Sequence, residues 1–221
     1  MDVAFSYNSN LAGAESLRET LAAKGVRVET FQVDASNPAV VTAALDAAAE
    51  RLGGLHTVIY AGGPGFTPEF FSTITQETWR RWLGADLLGC INLAQAAIPH
   101  LRRTAGSFIS LSTYQNNAIE PKGSVSSISK AGVDRMVVAI AKEEGRYGVR
   151  ANSIRAGWFA VEGPLRMLRE IPGLEEHKRR SIPVGRLGKP EELGEAAAFR
   201  ASRRAGFITG VNLTVDGGES L

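Results

Sequence analysis

Residues 106–132, GSFISLSTYQNNAIEPKGSVSSISKAG, decide how this 221-residue chain is interpreted. Within them, residues 108–111 form an apolar run of strand length, and hydroxyl side chains follow it. A polar loop then leads into residues 124–146, where apolar side chains recur at helical spacing. The stretch therefore predicts a buried strand, a loop and a helix that carries Lys130.

The rest of the chain repeats this alternation of short strands and helices. Since strands that alternate with helices are joined by right-handed crossovers, the order predicts a parallel sheet covered on both faces. The fold class is thus α/β, expected as a single domain over 1–221. Residues 158–185, rich in proline and glycine, are predicted to be irregular. Strands are predicted at 3–7, 26–33, 55–60, 108–111, 149–154 and 211–215.

The composition excludes several classes of function. With 44% hydrophobic and 22% charged residues, the chain is typical of a globular domain with a sizeable core. A net charge of +2 is too small to indicate a nucleic-acid or membrane partner. The single cysteine, Cys90, excludes an intramolecular disulfide, and the three histidines are too far apart in sequence to suggest a metal site. Without a long apolar run or a signal peptide, a cytoplasmic location is expected.

Seven segments, spread over essentially the whole chain, carry a family resemblance: VDAS (33–36), YAGG (60–63), SFISLST (107–113), SSISK (126–130), VRANSIRAG (149–157), IPVGRLGKPEEL (182–193) and FITGVNLTVDGG (207–218). Together they resemble the short-chain dehydrogenase/reductase (SDR) family, classical type. The last two segments are the most specific, because a run ending in DGG is typical of the family's C-terminal end. The resemblance implies a Rossmann-like, doubly wound, three-layer α/β/α fold, a nicotinamide cofactor and, usually, a homotetramer.

The front of the chain departs from the family's pattern. The family opens with a strand, a TGxxxGxG turn and a helix, ahead of the strand matched here by residues 3–7, and this chain looks N-terminally shortened by that unit. The turn and the helix N-terminus hold the pyrophosphate of the cofactor. Residues 62–65, GGPG, do not replace them, because Pro64 lacks an N–H donor and no helix follows directly. They fit the family's later cofactor-side turn instead.

The missing strand has a structural consequence. In the family it lies in the middle of the sheet, between the strands matched by residues 3–7 and 55–60. Without it, either the two strand edges close on each other or their backbone groups stay unpaired. Two explanations remain open: the sequence continues upstream of Met1, or the chain is a natural reduced variant.

The family's catalytic Tyr, Lys, Ser and Asn are matched by Ser126, Lys130, Thr113 and Asp86. Ser126 and Lys130 are four residues apart, so they share one helix face. A neighbouring ammonium can lower the pKa of a tyrosine phenol from about 10 toward neutral pH, whereas a serine hydroxyl is a far weaker acid. The set is therefore interpreted as degenerate. Asp86 adds a charge where the family has Asn, and it is expected to pair with Lys130.

Two tyrosines are candidates for a replacement phenol. Tyr114 follows Thr113 directly, so strand alternation points it to the opposite side. Tyr60 ends the cofactor-side strand and is the better candidate. A packed aromatic side chain is nevertheless the preferred interpretation of Tyr60.

The resemblance also implies a set of cofactor-binding positions. Asp34 matches an acid that contacts the adenine, although a strand-end cap is an equal alternative. Val161 replaces a Thr that binds the nicotinamide amide. No acid follows residues 3–7 to bind a ribose 2′-OH, so NADP is expected over NAD. The matched cofactor positions are Asp34, Ala61, Gly62, Gly63, Lys130 and Gly157.

Three functions remain open. The first is a degenerate SDR protein acting as a non-catalytic subunit or scaffold, in a homo-oligomer or a hetero-oligomer with a related SDR chain. Its interface would use helices 76–103 and 124–146, whose apolar faces include Val133, Met136, Val137 and Ile140. The second is an NADP-dependent carbonyl/hydroxyl oxidoreductase with an atypical acid–base set. The third is a non-redox isomerase, dehydratase or cyclase, with 158–185 as a lid over a small-molecule substrate.

Overall fold

The computed structural model describes residues 2–65 and 68–221, which form an α/β fold with parallel strands. The predicted alternation of strands and helices is confirmed. A π-helical segment, Leu83–Leu88, joins the helix that ends at Trp82 to the helix that begins at Gly89. The strands are β1 Val3–Tyr7, β2 Val28–Gln32, β3 Thr57–Tyr60, β4 Ser107–Thr113, β5 Arg150–Ala156 and β6 Asn212–Val215. The α-helices are α1 Leu11–Ala22, α2 Pro38–Leu52, α3 Gln76–Trp82, α4 Gly89–Thr104, α5 Ser124–Glu144, α6 Glu162–Glu170, α7 Leu174–Ser181 and α8 Pro190–Ala201.

The sheet is divided into two parts. Strand β1 pairs with β2, and the other four strands pair in the order β3-β4-β5-β6, all in parallel. Within the described residues, the backbone of β1 bonds only toward β2 and that of β3 only toward β4. Of the two outcomes expected for a missing strand, the observed one is therefore that the flanking edges stay unpaired.

The core lies between the four-stranded sheet and helices α4 and α5. Phe108 of β4 and Ala151 of β5 are fully buried there, together with Leu101 of α4. Burial of each large apolar side chain contributes about 1.5–3 kcal/mol. This packing holds the end of β4 and the start of α5 in place, and the candidate site is built on those two elements.

The apolar face of α5 is used inside the chain and not at its surface. Val133, Val137 and Ile140 are buried in the core cluster, and Met136 packs against it. Val133, Val137 and Ile140 are therefore not available for contacts between chains, and an interface on residues 76–103 and 124–146 stays a prediction. Because α5 packs this face on β4 and β5, the exposed side of the helix presents other residues, such as Ile128.

Residues 158–185 contain two helices, so the prediction of an irregular segment is wrong. Pro164 lies in the first turn of α6, where the backbone N–H groups have no intrahelical partner and none is lost. Gly173, with a φ of 77°, separates α6 from α7 in the left-handed region that favours glycine. The prolines and glycines thus bound these helices and do not prevent them.

Among the helices in residues 2–65 and 68–221, none is both long and apolar enough to cross a bilayer.

Candidate functional site

Lys130 lies at the centre of the candidate site. Its Nζ donates a 2.9 Å hydrogen bond to the carbonyl of Leu111 in β4, and the carbonyl of Gly62, just after β3, lies 3.5 Å away. The lysine side chain is only 12% exposed. In a parallel sheet the carboxyl ends of neighbouring strands meet at one edge, and this is why two strand ends converge on one ammonium.

Asp86 pairs with this lysine from the π-helical segment. Its Oδ1 lies 2.6 Å from Lys130 Nζ, and its Oδ2 accepts a 2.7 Å hydrogen bond from Ser129 Oγ. The pairing expected from the sequence is therefore present. Asp86 is fully buried, so its charge would be costly without the ammonium. π-helical segments occur often at functional sites, and here the segment carries the aspartate that contacts Lys130.

Ser126 and Thr113 contribute partly exposed hydroxyls near the same strand end. The carbonyl of Ser126 accepts from Ser129 Oγ at 3.1 Å, and Thr113 Oγ1 accepts from the backbone N–H of Gln115 at 3.3 Å. Strand β4 extends to Thr113, two residues further than predicted, which places this hydroxyl at the strand end. Neither hydroxyl bonds to an imidazole or a carboxylate in the described part of the chain, so neither has an activating base.

Tyr60 does not replace the missing phenol. It is 6% exposed, and its hydroxyl donates to the carbonyl of Ala85. Burial, with smaller effects of Cys90 and Asp86, raises the pKa of Tyr60 well above its usual range. Its burial and its hydrogen bond to a backbone carbonyl support its interpretation as a packed aromatic side chain.

Tyr114 is also buried, on the other side of the strand end. It is 3% exposed and accepts a 2.9 Å hydrogen bond from Trp158 Nε1. Burial raises the pKa of Tyr114 far above its usual range, and the charges of Glu120 and Glu219 add to the effect. Neither tyrosine therefore supplies an acid for the Lys130 site.

Beside Tyr114 lies a buried lysine that the sequence did not point to. Lys178 of α7 is 1% exposed; its Nζ lies 2.8 Å from Glu219 Oε1 and pairs with Glu120. The same ammonium lies 4.5 Å from the ring centroid of Trp158. The cluster joins α7 to the C-terminal turn and to the loop after β4. Its members are far apart in sequence, so no local spacing could have indicated it.

The positions matched to the adenosine half of a cofactor are occupied by local contacts. Asp34 Oδ1 accepts from the N–H and the hydroxyl of Ser36, at 2.9 and 2.7 Å, and these bonds lower the pKa of Asp34. These bonds fit the strand-end cap, and the adenine contact stays a prediction. Asn10 Oδ1 accepts from Gly13 N at the start of α1, and Asn37 caps α2 in the same way. One N–H group of α1 and two of α2 that could face a pyrophosphate are thus already paired with side chains.

The glycines on the nicotinamide side lie close to the site. Ala61, Gly62 and Gly63 are exposed after β3, and a Cβ at Gly63 would lie 3.2 Å from Asp86 Oδ1. A Cβ at Gly157 would lie 2.6 Å from the Cα of Asp216, so glycine there permits close approach of the C-terminal turn. Lys130 and these turns fit one end of a dinucleotide. The described residues offer no turn for its phosphates and do not fit it as a whole.

Cys90 lies behind the site and has no exposed surface. Burial raises the pKa of the Cys90 thiol to about 12, although the charge of Lys130 opposes the effect. The thiol is therefore not a nucleophile at neutral pH. In the described ranges no three side chains of the metal-binding types come together.

The comparisons with known proteins agree with this fold. A family model described as Enoyl-(Acyl carrier protein) reductase matches residues 1–220. The chain is 29% identical over 223 residues to Glucose 1-dehydrogenase 2 of Bacillus subtilis, covering 100% of this chain and 86% of the relative. It is 32% identical over 225 residues to 3beta-hydroxysteroid dehydrogenase 1 of Eggerthella lenta, covering 100% and 85%.

A solved structure gives the same result. A gluconate 5-dehydrogenase from Burkholderia cenocepacia, in complex with NADP and tartrate, superposes with a TM-score of 0.90 at 25% identity. The match covers 98% of this chain and 84% of that one. The parallel strand order, the strand-end lysine and the family model over the whole chain lead to one conclusion. The chain belongs to the short-chain dehydrogenase/reductase family of oxidoreductases.

Proposed function

We propose that this SDR chain has lost carbonyl reduction and acts as a non-catalytic subunit or scaffold. The observation that carries the proposal is the 2.6 Å ion pair between Lys130 and Asp86, with a serine one helical turn before the lysine. An ammonium assists a phenol by favouring its ionised form. Here the ammonium faces a carboxylate, and the position for the phenol holds Ser126.

The lost proton transfer sets the size of the expected effect. A positioned general acid contributes about 10²–10⁴-fold to a rate. The hydroxyls of Thr113 and Ser126 can still donate hydrogen bonds to a carbonyl oxygen. They cannot supply the proton that the oxygen takes up, because an alcohol is a far weaker acid than a phenol.

The subunit role needs a surface for association, and we place it on the exposed sides of residues 76–103 and 124–146. Leu88 is 53% exposed and Ile128 is 46% exposed, so each helical region presents an apolar side chain to solvent. The partner would be a second copy of this chain or a related SDR chain. The buried face of α5 takes no part, because it is used in the core.

One experiment tests the loss of activity. The purified chain is titrated with NADPH by calorimetry and then mixed with NADPH and cyclohexanone, while absorbance follows NADPH oxidation. We expect neither binding heat nor oxidation above the buffer rate. NADPH-dependent reduction that disappears in Lys130→Ala would overturn the proposal.

A second experiment tests the subunit role. Light scattering after size exclusion should show an oligomer that Leu88→Glu shifts toward monomer, whereas Val40→Glu, 38% exposed on α2, leaves it unchanged. A chain that is monomeric and copurifies with no SDR protein from its source cell would rule out the subunit role.

The second candidate is an NADP-dependent oxidoreductase with an unusual acid–base set. Two observations favour it: the Burkholderia structure contains NADP, and residues 8–10 after β1 hold no carboxylate that would select a ribose 2′-OH. This candidate requires a phosphate-binding segment beyond the residues described here. Calorimetry on a chain that carries such a segment distinguishes it, because NADPH would then bind more tightly than NADH.

A further inference from the structure

We infer that Arg200 and Arg150 form a binding site for a phosphate group, at the end of the sheet opposite Lys130. The ligand would be either free inorganic phosphate or the phosphate group of a small organic molecule. The inference goes beyond the proposed subunit role, and neither of the two depends on the other.

The two arginines lie beside the amino ends of the strands. Arg150 begins β5 and Ala156 ends it, about 20 Å away at a rise of about 3.3 Å per residue. Ala156 is the register partner of Thr113, so the Lys130 site lies at that far end. Arg200 is in the last turn of α8, which packs on β4 and β5, and it is only 4% exposed. The two sites are therefore separate.

The first argument is the unpaired guanidinium of Arg200. Its Nε and Nη1 are buried, and neither has a hydrogen-bond partner within the described residues. Burial lowers the pKa of Arg200, and no acidic neighbour opposes this effect in the described part of the chain. An arginine nevertheless stays protonated in proteins, so it cannot avoid the cost of burial by losing its charge. Buried charges are normally paired, and this one needs a partner.

The second argument is a second positive charge next to the first. Arg150 Nη1 donates to the carbonyl of Arg200 at 2.9 Å, and its Nη2 donates to the carbonyl of Ser202 at 3.3 Å. Carbonyl oxygens carry no net charge, so these bonds do not neutralise the guanidinium. Burial lowers the pKa of Arg150, and the charge of Arg200 lowers it further. By contrast, Arg102 and Arg155 each face a buried carboxylate.

The third argument is that the neighbouring polar groups are already bonded to one another. Asn152 Nδ2 donates to the carbonyl of Ile208 at 2.9 Å, and its Oδ1 accepts from the N–H of Val211 at 3.2 Å. Thr209 Oγ1 accepts from the N–H of Ala151 at 3.0 Å. These side chains therefore offer no negative charge to the two arginines, and a ligand would have to supply it.

The charge of the site selects a phosphate group. A phosphate monoester carries a charge of about −1.5 to −2 at pH 7, which matches two guanidinium groups, whereas a carboxylate matches only one. Its oxygens are strong acceptors for guanidinium N–H groups. Arg203 and Arg204 are exposed on the turn after α8 and attract an anion toward it. Residues 196–215 contain no acid that would repel one.

The test is calorimetric titration of the purified chain with inorganic phosphate, in a buffer free of phosphate and sulfate and at constant ionic strength. We expect saturable binding with a Kd below about 1 mM. A second titration uses glycerol 2-phosphate. Binding of either compound supports the inference, and the tighter of the two identifies the source as a free ion or an organic phosphate.

Variants assign the binding to the buried arginine. Arg200→Leu should weaken it about tenfold or more, because the free guanidinium donors are lost. Arg18→Leu is the matched control and should change binding less than about twofold, because Arg18 is exposed on α1, which packs on β1 and β2. Thermal unfolding gives an independent readout. Without phosphate, Arg200→Leu should unfold at the same Tm as the unaltered chain or higher, since it removes an unpaired buried charge. Phosphate should raise the Tm of the unaltered chain only.

Three outcomes would overturn the inference. The first is the absence of saturable binding of both phosphate compounds to the unaltered chain, a measurement that needs no variant. The second is binding of equal strength to Arg200→Leu, which would place the phosphate elsewhere. The third is acetate binding as tightly as phosphate, which would make the site one for a carboxylate.

Discussion

The two parts of the sheet differ in how completely helices cover them. Five of the seven residues of β4 are buried, whereas none in β1 or β2 is. Strand β4 has α5 on one face and α8 on the other, while β1 and β2 lie at the open side of the fold. The part that carries Lys130 is therefore covered by helices and largely buried. The part that the resemblance matches to the phosphate side of a cofactor is less completely covered.

The largest expected difference between the two parts is in the energetics of their aromatic side chains. Phe108→Ala in β4 removes a fully buried ring and should lower the free energy of unfolding by about 3–5 kcal/mol. Phe5→Ala in β1 removes a partly exposed ring and should cost about 1 kcal/mol, because less area returns to water. Urea unfolding measures both. Equal costs would show that β1 is as well covered as β4.

The ion pairs of the two parts are expected to differ in the same way. Lys130→Met leaves the fully buried Asp86 without its ammonium and should cost about 3–5 kcal/mol of unfolding free energy. Arg27→Met near the N-terminus breaks a pair with Asp2 in which the two side chains are 54% and 37% exposed, and it should lower the unfolding free energy far less. Adding Asp86→Asn to Lys130→Met should recover much of the loss. If it does not, the ion pair is not what holds this part of the site.

Helix caps give a smaller test. Asn37 accepts from two backbone N–H groups at the start of α2, and Asn10 accepts from one at the start of α1. Each substitution to Ala should cost about 1 kcal/mol in unfolding free energy. We expect Asn37→Ala to cost more, because α2 packs on β1, β2 and α4. The reverse order would indicate that α1 is the more important support.

The smallest expected effect is a pH dependence. The guanidinium of Arg102 lowers the pKa of Glu144 below its ordinary value of 4.5. A carboxylate whose pKa is lowered by folding stabilises the protein above its unfolded pKa, and this contribution is lost as the pH falls through its folded pKa. Glu144→Gln should therefore lower Tm at pH 7, and the difference should shrink below pH 4.5 and vanish once the pH lies below the folded pKa of Glu144. A difference that persists in acid would assign the effect to packing.

Salt should affect the Arg102–Glu144 pair less than the Arg27–Asp2 pair near the N-terminus. Arg27 lowers the pKa of Asp2 in the same direction, but both side chains there are substantially exposed. The Glu144 side chain is 9% exposed. At 1 M salt we expect the effect of Asp2→Asn on Tm to disappear, while part of the effect of Glu144→Gln remains.

Much of the candidate site could be predicted because its residues lie in short, regular stretches. Ser126 and Lys130 are one turn apart on a helix, and Thr113 ends a strand, so local geometry sets their positions. The pairing of Asp86 with Lys130 could also be predicted, because Asp86 stands where the family has an asparagine. The Lys178 cluster was not, because Glu120, Lys178 and Glu219 meet only through long-range packing.

Local sequence patterns suffice to predict the alternation of strands and helices and the frame of the candidate site. Periodicity, caps and turn residues act over a few positions, and these local preferences agree with the fold. The burial of Val133, Val137 and Ile140 inside the chain follows from long-range packing. So does the division of the sheet between β1 and β3. Which face a helix buries, and whether two strand edges meet, depend on partners distant in sequence, and local preferences do not encode those partners.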